Sequence, residues 1–122
     1  MPVPRITKED LQAQLESDAA TKPILLDARL KYPYEHSSVT LPGAVRLDPA
    51  GGRPELARDT PIVVYDSDPD ELVSARVAAE LIKQGYRATA LRGGIGDWLA
   101  GKLPTDEKHA PQQAPPKAGG LT

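Results

Sequence analysis

Apolar residues come in short clusters along this chain: Ile24-Leu25-Leu26, Ala44-Val45-Arg46-Leu47, Ile62-Val63-Val64-Tyr65 and Ala88 to Leu91. The clusters are strand-length and mostly lack polar alternation, the mark of strands covered on both sheet faces. Helical stretches separate them. Thr7-Lys8-Glu9-Asp10 reads as a helix start, with Thr7 as N-cap, acids in the first turn, and Leu11 and Leu15 as the apolar stripe. A second helix is expected from about Pro69 to Gln84, ended by Gly85 at the C′ position. A third, short one is expected from Gly94 to Ala100, carrying Trp98. A long loop rich in Tyr, Pro and Ser follows the first strand and leads to a Pro42-Gly43 turn. This order predicts an α/β domain with a central, mostly parallel sheet and helices on both faces. Ligands in such sheets bind outside the carboxyl ends of the strands, which directs attention to Asp27 and Asp66.

At 122 residues the chain can bury a core of its own. No internal repeat is present. From Pro104 the character changes, with Pro111, Pro115, Pro116 and a Gly119-Gly120 pair. The expected organisation is a domain over residues 1–104 and a flexible Pro/Gly-rich tail over 105–122. A formal charge of −2 gives no reason to expect nucleic-acid or anionic-membrane partners. No apolar run approaches a membrane span, and no basic-then-apolar segment opens the chain. A cytoplasmic monomer is the expectation. The chain has no cysteine, which removes disulfides, thiolate metal sites and thiol catalysis together. It has two histidines, and His109 falls in the tail. Neither a metal nor a cofactor is expected.

The acidic run Asp66-Ser67-Asp68-Pro69-Asp70-Glu71-Leu72 admits several readings. As a helix start, Asp68 is the N-cap, Pro69 takes the first helical position, and Glu71 completes a capping box. As a calcium loop it lacks the glycine needed where Glu71 stands and the glutamate needed where Val77 stands. The Asp-x-Asp of aspartate-nucleophile phosphohydrolases belongs on an early strand with a later Lys and acidic pair, and neither condition is met. A tyrosine-phosphatase signature would require Cys at 66 and Arg at 72, where this chain has Asp66 and Leu72. Ser67 and Ser74 would act as nucleophiles only beside a base, and His36 lies in a distant loop. Gly96 to Gly101-Lys102 misses the P-loop pattern at Leu103. Arg76 is expected at the surface, and Trp98 in the core.

Three segments resemble the rhodanese-like (sulfurtransferase) domain. Leu25-Leu26-Asp27-Ala28-Arg29, with Glu35 and Leu41-Pro42-Gly43-Ala44, is similar to the first signature of that family. Ile62 to Tyr65 with Ser74-Ala75-Arg76 resembles the strand, active-site loop and helix of the second. Leu91-Arg92-Gly93-Gly94, then Trp98 and Gly101, resembles the third. The resemblance implies that Asp66 stands where the family carries its cysteine nucleophile, leaving no catalytic residue. It makes Asp66 to Leu72 the active-site loop and places Asp27 and Arg29 at the pocket rim, with Arg29 pairing an acid such as Glu35. Thr40 and Val39 replace a usual His and Gly. Loop amides and a helix N-terminus shaped to hold an anion would then hold the Asp66 carboxylate as a built-in one. The expected function is a catalytically inactive rhodanese-like domain, serving as a binding, scaffolding or regulatory module for an unidentified protein partner or small ligand. The alternative is an enzyme of altered chemistry, metal-dependent or hydrolytic, using Asp66.

Overall fold

Ile62, Val63, Val64 and Tyr65 are all buried, as a strand with both sides covered must be. They form the centre of the sheet in the computed structural model, which describes residues 3–16, 22–47, 56, 58–68 and 70–107. The elements run β1 (Arg5–Ile6), α1 (Lys8–Glu16), β2 (Ile24–Asp27), α2 (Lys31–Glu35), β3 (Val39–Thr40), β4 (Val45–Arg46), β5 (Ile62–Tyr65), α3 (Leu72–Lys83), β6 (Ala88–Leu91), α4 (Gly94–Ala100) and β7 (Asp106–Glu107). The main sheet has the order β1-β6-β5-β2-β4, and every pairing in it is parallel. β3 and β7 make a separate antiparallel pair.

Alternation along the strands divides the core into two layers. Leu25, Val63, Tyr65 and Leu91 point to one side, where they meet Leu11 of α1 and Ile95 and Trp98 of α4. Leu26, Ile62, Val64 and Ala88 point to the other, where they meet Ala78 and Leu81 of α3. Helices therefore cover both faces, as the strand pattern requires. The Trp98 indole N–H donates to the Pro104 carbonyl at 2.7 Å, which lets a bulky ring be fully buried.

The Thr7 hydroxyl accepts the Asp10 N–H at 3.1 Å, so α1 is capped as its sequence predicts. Gly85, at φ +93°, ends α3. The Tyr86 N–H reaches the Leu81 carbonyl and the Gly85 N–H that of Ile82, both at 3.0 Å, completing a Schellman motif.

The start of α3 differs from expectation. The helix begins at Leu72, and its N-terminal cap position is Glu71 in a left-handed conformation. Pro69 lies outside the described residues. The loop after β2 contains a helical turn, α2, which sequence reading left irregular. Asp106 and Glu107, placed in the tail by composition, pair with β3, and the Asp106 carboxylate accepts the Gly43 N–H at 2.8 Å. The remainder of the expected tail, from residue 108, is outside the described residues. No described helix is long and apolar enough to cross a membrane.

Candidate functional site

β5 delivers Asp66 to the carboxyl end of the sheet, where the chain turns into α3. The residue is 1% exposed, and neither carboxylate oxygen is idle. Oδ1 accepts the Asp68 N–H at 2.9 Å, and Oδ2 accepts the Ser74 N–H at 2.5 Å. Ser74 is the third residue of α3, so its N–H is one of those a helix cannot satisfy internally. Asp66 thus performs the capping that sequence reading assigned to Asp68. The backbone of Asp66 is pinned as well: its carbonyl accepts the Ile95 N–H at 2.9 Å. Gly94 makes this approach possible, because a Cβ there would come within 2.5 Å of the Asp66 carbonyl oxygen.

The capping box between Asp68 and Glu71 does not form. The Asp68 side chain instead accepts the Asp70 N–H at 2.7 Å, and its carbonyl accepts the Glu71 N–H at 3.1 Å. Glu71 sits at φ +56°, a conformation unfavourable for a side chain with a Cβ. Its carboxylate is drawn sideways rather than back over the helix start. Oε1 pairs with the Arg5 Nε at 2.8 Å, and Oε2 accepts the Gly93 N–H at 2.8 Å. Burial works against this charge, but the Gly93 N–H and then Arg5, with Arg92 nearby, outweigh it and hold the carboxyl below its ordinary range. The loop is therefore tied to β1 and to the β6–α4 turn. Sequence reading missed Arg5 altogether and saw Gly93-Gly94 only as a turn; nothing local marks either as a loop contact.

Asp27 and Arg29 lie deeper than a rim. Each is 1% exposed, and the guanidinium closes on the carboxylate two residues before it, with Nη2 to Oδ2 at 2.7 Å and Nε to Oδ1 at 2.9 Å. Arg29 also donates to the Val39 carbonyl at 3.1 Å, and Arg46 donates to the Arg29 carbonyl at 2.6 Å. Tyr34 is held beneath Arg46, whose guanidinium carbon is 3.9 Å from the ring centre. Burial, and after it the charge of Asp27, push the Tyr65 phenol well above its ordinary range. It stays neutral, and its oxygen accepts the Leu41 N–H at 3.3 Å. This assembly secures β2, β4 and α2 beside the loop.

The remaining candidates are scattered. Ser67 and Arg76 are exposed, and the Ser74 hydroxyl is buried with no partner among the described residues. The His36 Nδ1 meets the Tyr32 carbonyl at 3.0 Å and its ring stacks on Tyr32, away from either serine. No group of three or more His, Asp or Glu among the described residues is arranged to hold a metal ion. Leu72, at 63% exposed, follows the loop directly, and Leu30 and Tyr32 stand exposed beyond the end of the neighbouring strand β2. Sequence reading did not single out Leu30.

The sequence profile of the rhodanese-like domain matches residues 7–101. Among curated proteins none matches the chain. Solved structures share the fold. A full-length protein from Lactobacillus plantarum is 23% identical, with 85% of this chain and 88% of that one covered and a TM-score of 0.72. A rhodanese-related protein from Thermoplasma volcanium is 20% identical, with 84% and 97% covered and a TM-score of 0.68. The thiosulfate sulfurtransferase from Pseudomonas aeruginosa is 20% identical, with 85% of this chain matching 19% of that one and a TM-score of 0.63. The matched span runs from the cap of α1 to the end of α4 and contains the whole Asp66 loop, so this cysteine-free chain belongs to the rhodanese-like domain family, with an aspartate in the place of the family's cysteine.

Proposed function

We propose that this domain is silent as a sulfurtransferase and serves as a binding or regulatory module. The observation that carries the reading is the double engagement of Asp66. Its carboxylate already accepts the Asp68 and Ser74 amides, the donors best placed to receive an external anion. An incoming thiosulfate would have to break two charge-assisted hydrogen bonds and would approach past Asp68 and Asp70. Carrying sulfane sulfur also requires a thiol, which the chain lacks. The same engagement weighs against the altered-enzyme reading, since a carboxylate 1% exposed and bonded through both oxygens is not presented for attack or ligation.

The deciding assay is thiosulfate:cyanide transfer, in which the protein is expected to match a buffer blank. Turnover well above the blank would overturn the reading. Asp66→Cys extends the test by restoring a thiol in the same loop. Continued silence is expected, because Glu71 still holds the Gly93 amide and Asp68 and Asp70 still repel the donor. The binding role is supported by the exposed Leu72, Leu30 and Tyr32, which follow the carboxyl ends of the paired strands β5 and β2. A partner recovered by the wild type and lost with Leu72→Asp would bear it out.

A further inference from the structure

With the carboxyl end of the sheet occupied by the chain's own Asp66, spare hydrogen-bonding capacity is found at the opposite, amino-terminal end. Leu25, Val63 and Thr89 form one row across β2, β5 and β6, paired by register. They point to the α1 side of the sheet, where Leu25 and Val63 belong to the core. Thr89 is the polar exception in that row. Its hydroxyl has no hydrogen bond to any described residue, and it faces a cavity of about 420 Å³. That volume lies within the range of small-ligand sites.

Ile6 and Val63, whose side chains lie on this face, supply the apolar wall of the cavity, while Gln14 of α1 and Arg87 at the entrance to β6 supply polar groups beside Thr89. The Gln14 amide is likewise without a partner among the described residues. Arg87 spends one N–H on the Asp59 carbonyl at 3.2 Å and forms no ion pair with a described acid. A guanidinium with donors to spare, a hydroxyl and a primary amide therefore converge on a space with an aliphatic wall. We infer that this cavity is a binding site for a small carboxylic acid with an apolar body. The carboxylate meets the Arg87 fork, with Thr89 and Gln14 as further donors, and the hydrocarbon lies against Ile6 and Val63. Phosphate fits less well, since its fourth oxygen would face the aliphatic wall without a donor.

The test is a titration of the full chain with hexanoate, followed by backbone amide shifts, with 1-hexanol as the uncharged control. Saturable shifts are expected at Gln14, Arg87 and Thr89 with hexanoate, and much weaker ones with hexanol. Arg87 is exposed and its loss should leave the fold intact, so Arg87→Gln is expected to weaken hexanoate by about tenfold, the factor a lost charge-assisted bond carries. Thr89→Ile, which fills the cavity with the aliphatic group its row otherwise carries, is expected to abolish the shifts while thermal unfolding stays cooperative. Non-saturable shifts, equal responses to hexanol, or an Arg87→Gln variant that binds as well as wild type would each overturn the assignment. None of these outcomes depends on sulfur transfer, so this site and the proposed function stand or fall separately.

Discussion

The Asp66 carboxylate reaches forward eight residues to accept the Ser74 N–H at 2.5 Å, closing the loop after β5 on the first turn of α3. A loop that opens onto a helix N-terminus presents amide donors and a favourable dipole to any anion. Here the anion is covalently part of the chain. Its two oxygens take the Asp68 and Ser74 amides, donors of the kind that a bound anion would use.

Removing that anion leaves the Asp68 and Ser74 amides without acceptors, the second of them on a fully buried residue. Asp66→Ala is expected to destabilise the domain by about 1–3 kcal/mol, the range for orphaned buried donors. Urea unfolding measures the loss, and hydrogen exchange at the Ser74 amide should quicken. An unchanged midpoint would mean that water replaces the carboxylate at no net cost.

Glu71 sets a pH dependence. Its folded-state pKa lies below the ordinary 4.5, so its stabilising charge is fully present above that value and is lost as pH falls through the depressed one. Glu71→Gln, which keeps the shape and removes the charge, should lose about 1 kcal/mol at neutral pH. Its stability should then fall less steeply than that of the wild type as pH drops below 4.5. Parallel stability curves for the two proteins would refute this assignment.

The Asp27–Arg29 pair is expected to be the most sensitive position away from the loop, because both side chains are 1% exposed. Asp27→Ala strands a buried guanidinium and should cost about 3–5 kcal/mol. Replacing both residues, with Arg29→Met added, should cost less than the single change, since no unpaired charge then remains. A double-mutant cycle by chemical denaturation reads the coupling.

Two glycines of α4 make a contrasting pair. Gly94, at φ +64° and with the Asp66 carbonyl 2.5 Å from where its Cβ would lie, cannot accept a side chain without moving the loop. Gly94→Ala should destabilise by about 1–3 kcal/mol and disturb the Ile95 to Asp66 hydrogen bond. Gly96 has open space around it and an ordinary helical backbone, so Gly96→Ala should stabilise by about 0.4–1 kcal/mol. Differential scanning calorimetry of the two variants separates steric obstruction from loss of chain freedom.

The elements that could be read in advance carry their signal locally. β5 is an uninterrupted apolar run, β2 and β6 are apolar but for Asp27 and Thr89, α1 has its Thr7 cap, and α3 has Gly85 at its end. Those that were missed are two-residue strands and a single helical turn. β1, β3 and β7 exist because a partner strand supplies hydrogen bonds, and no pattern in residues as few as Val39-Thr40 encodes that partner. The site divides the same way. The place of Asp66 at the end of β5 could be read because strand and loop are adjacent in sequence. Glu71 was misread as half of a capping box, because the groups that win its carboxylate are Arg5, 66 residues before it, and Gly93, 22 residues after it.

By itself the sequence determined that a parallel α/β sheet would form and that no thiol would stand at its carboxyl end; strand periodicity and side-chain chemistry are properties of the chain in any conformation. Only the tertiary structure decided where each acid of the loop sends its charge. Asp66 turns inward to the helix, Glu71 crosses to β1 and the β6–α4 turn, and Asp70 is left facing solvent. A carboxylate takes the nearest donors with unmet need, and folding is what places those donors beside it.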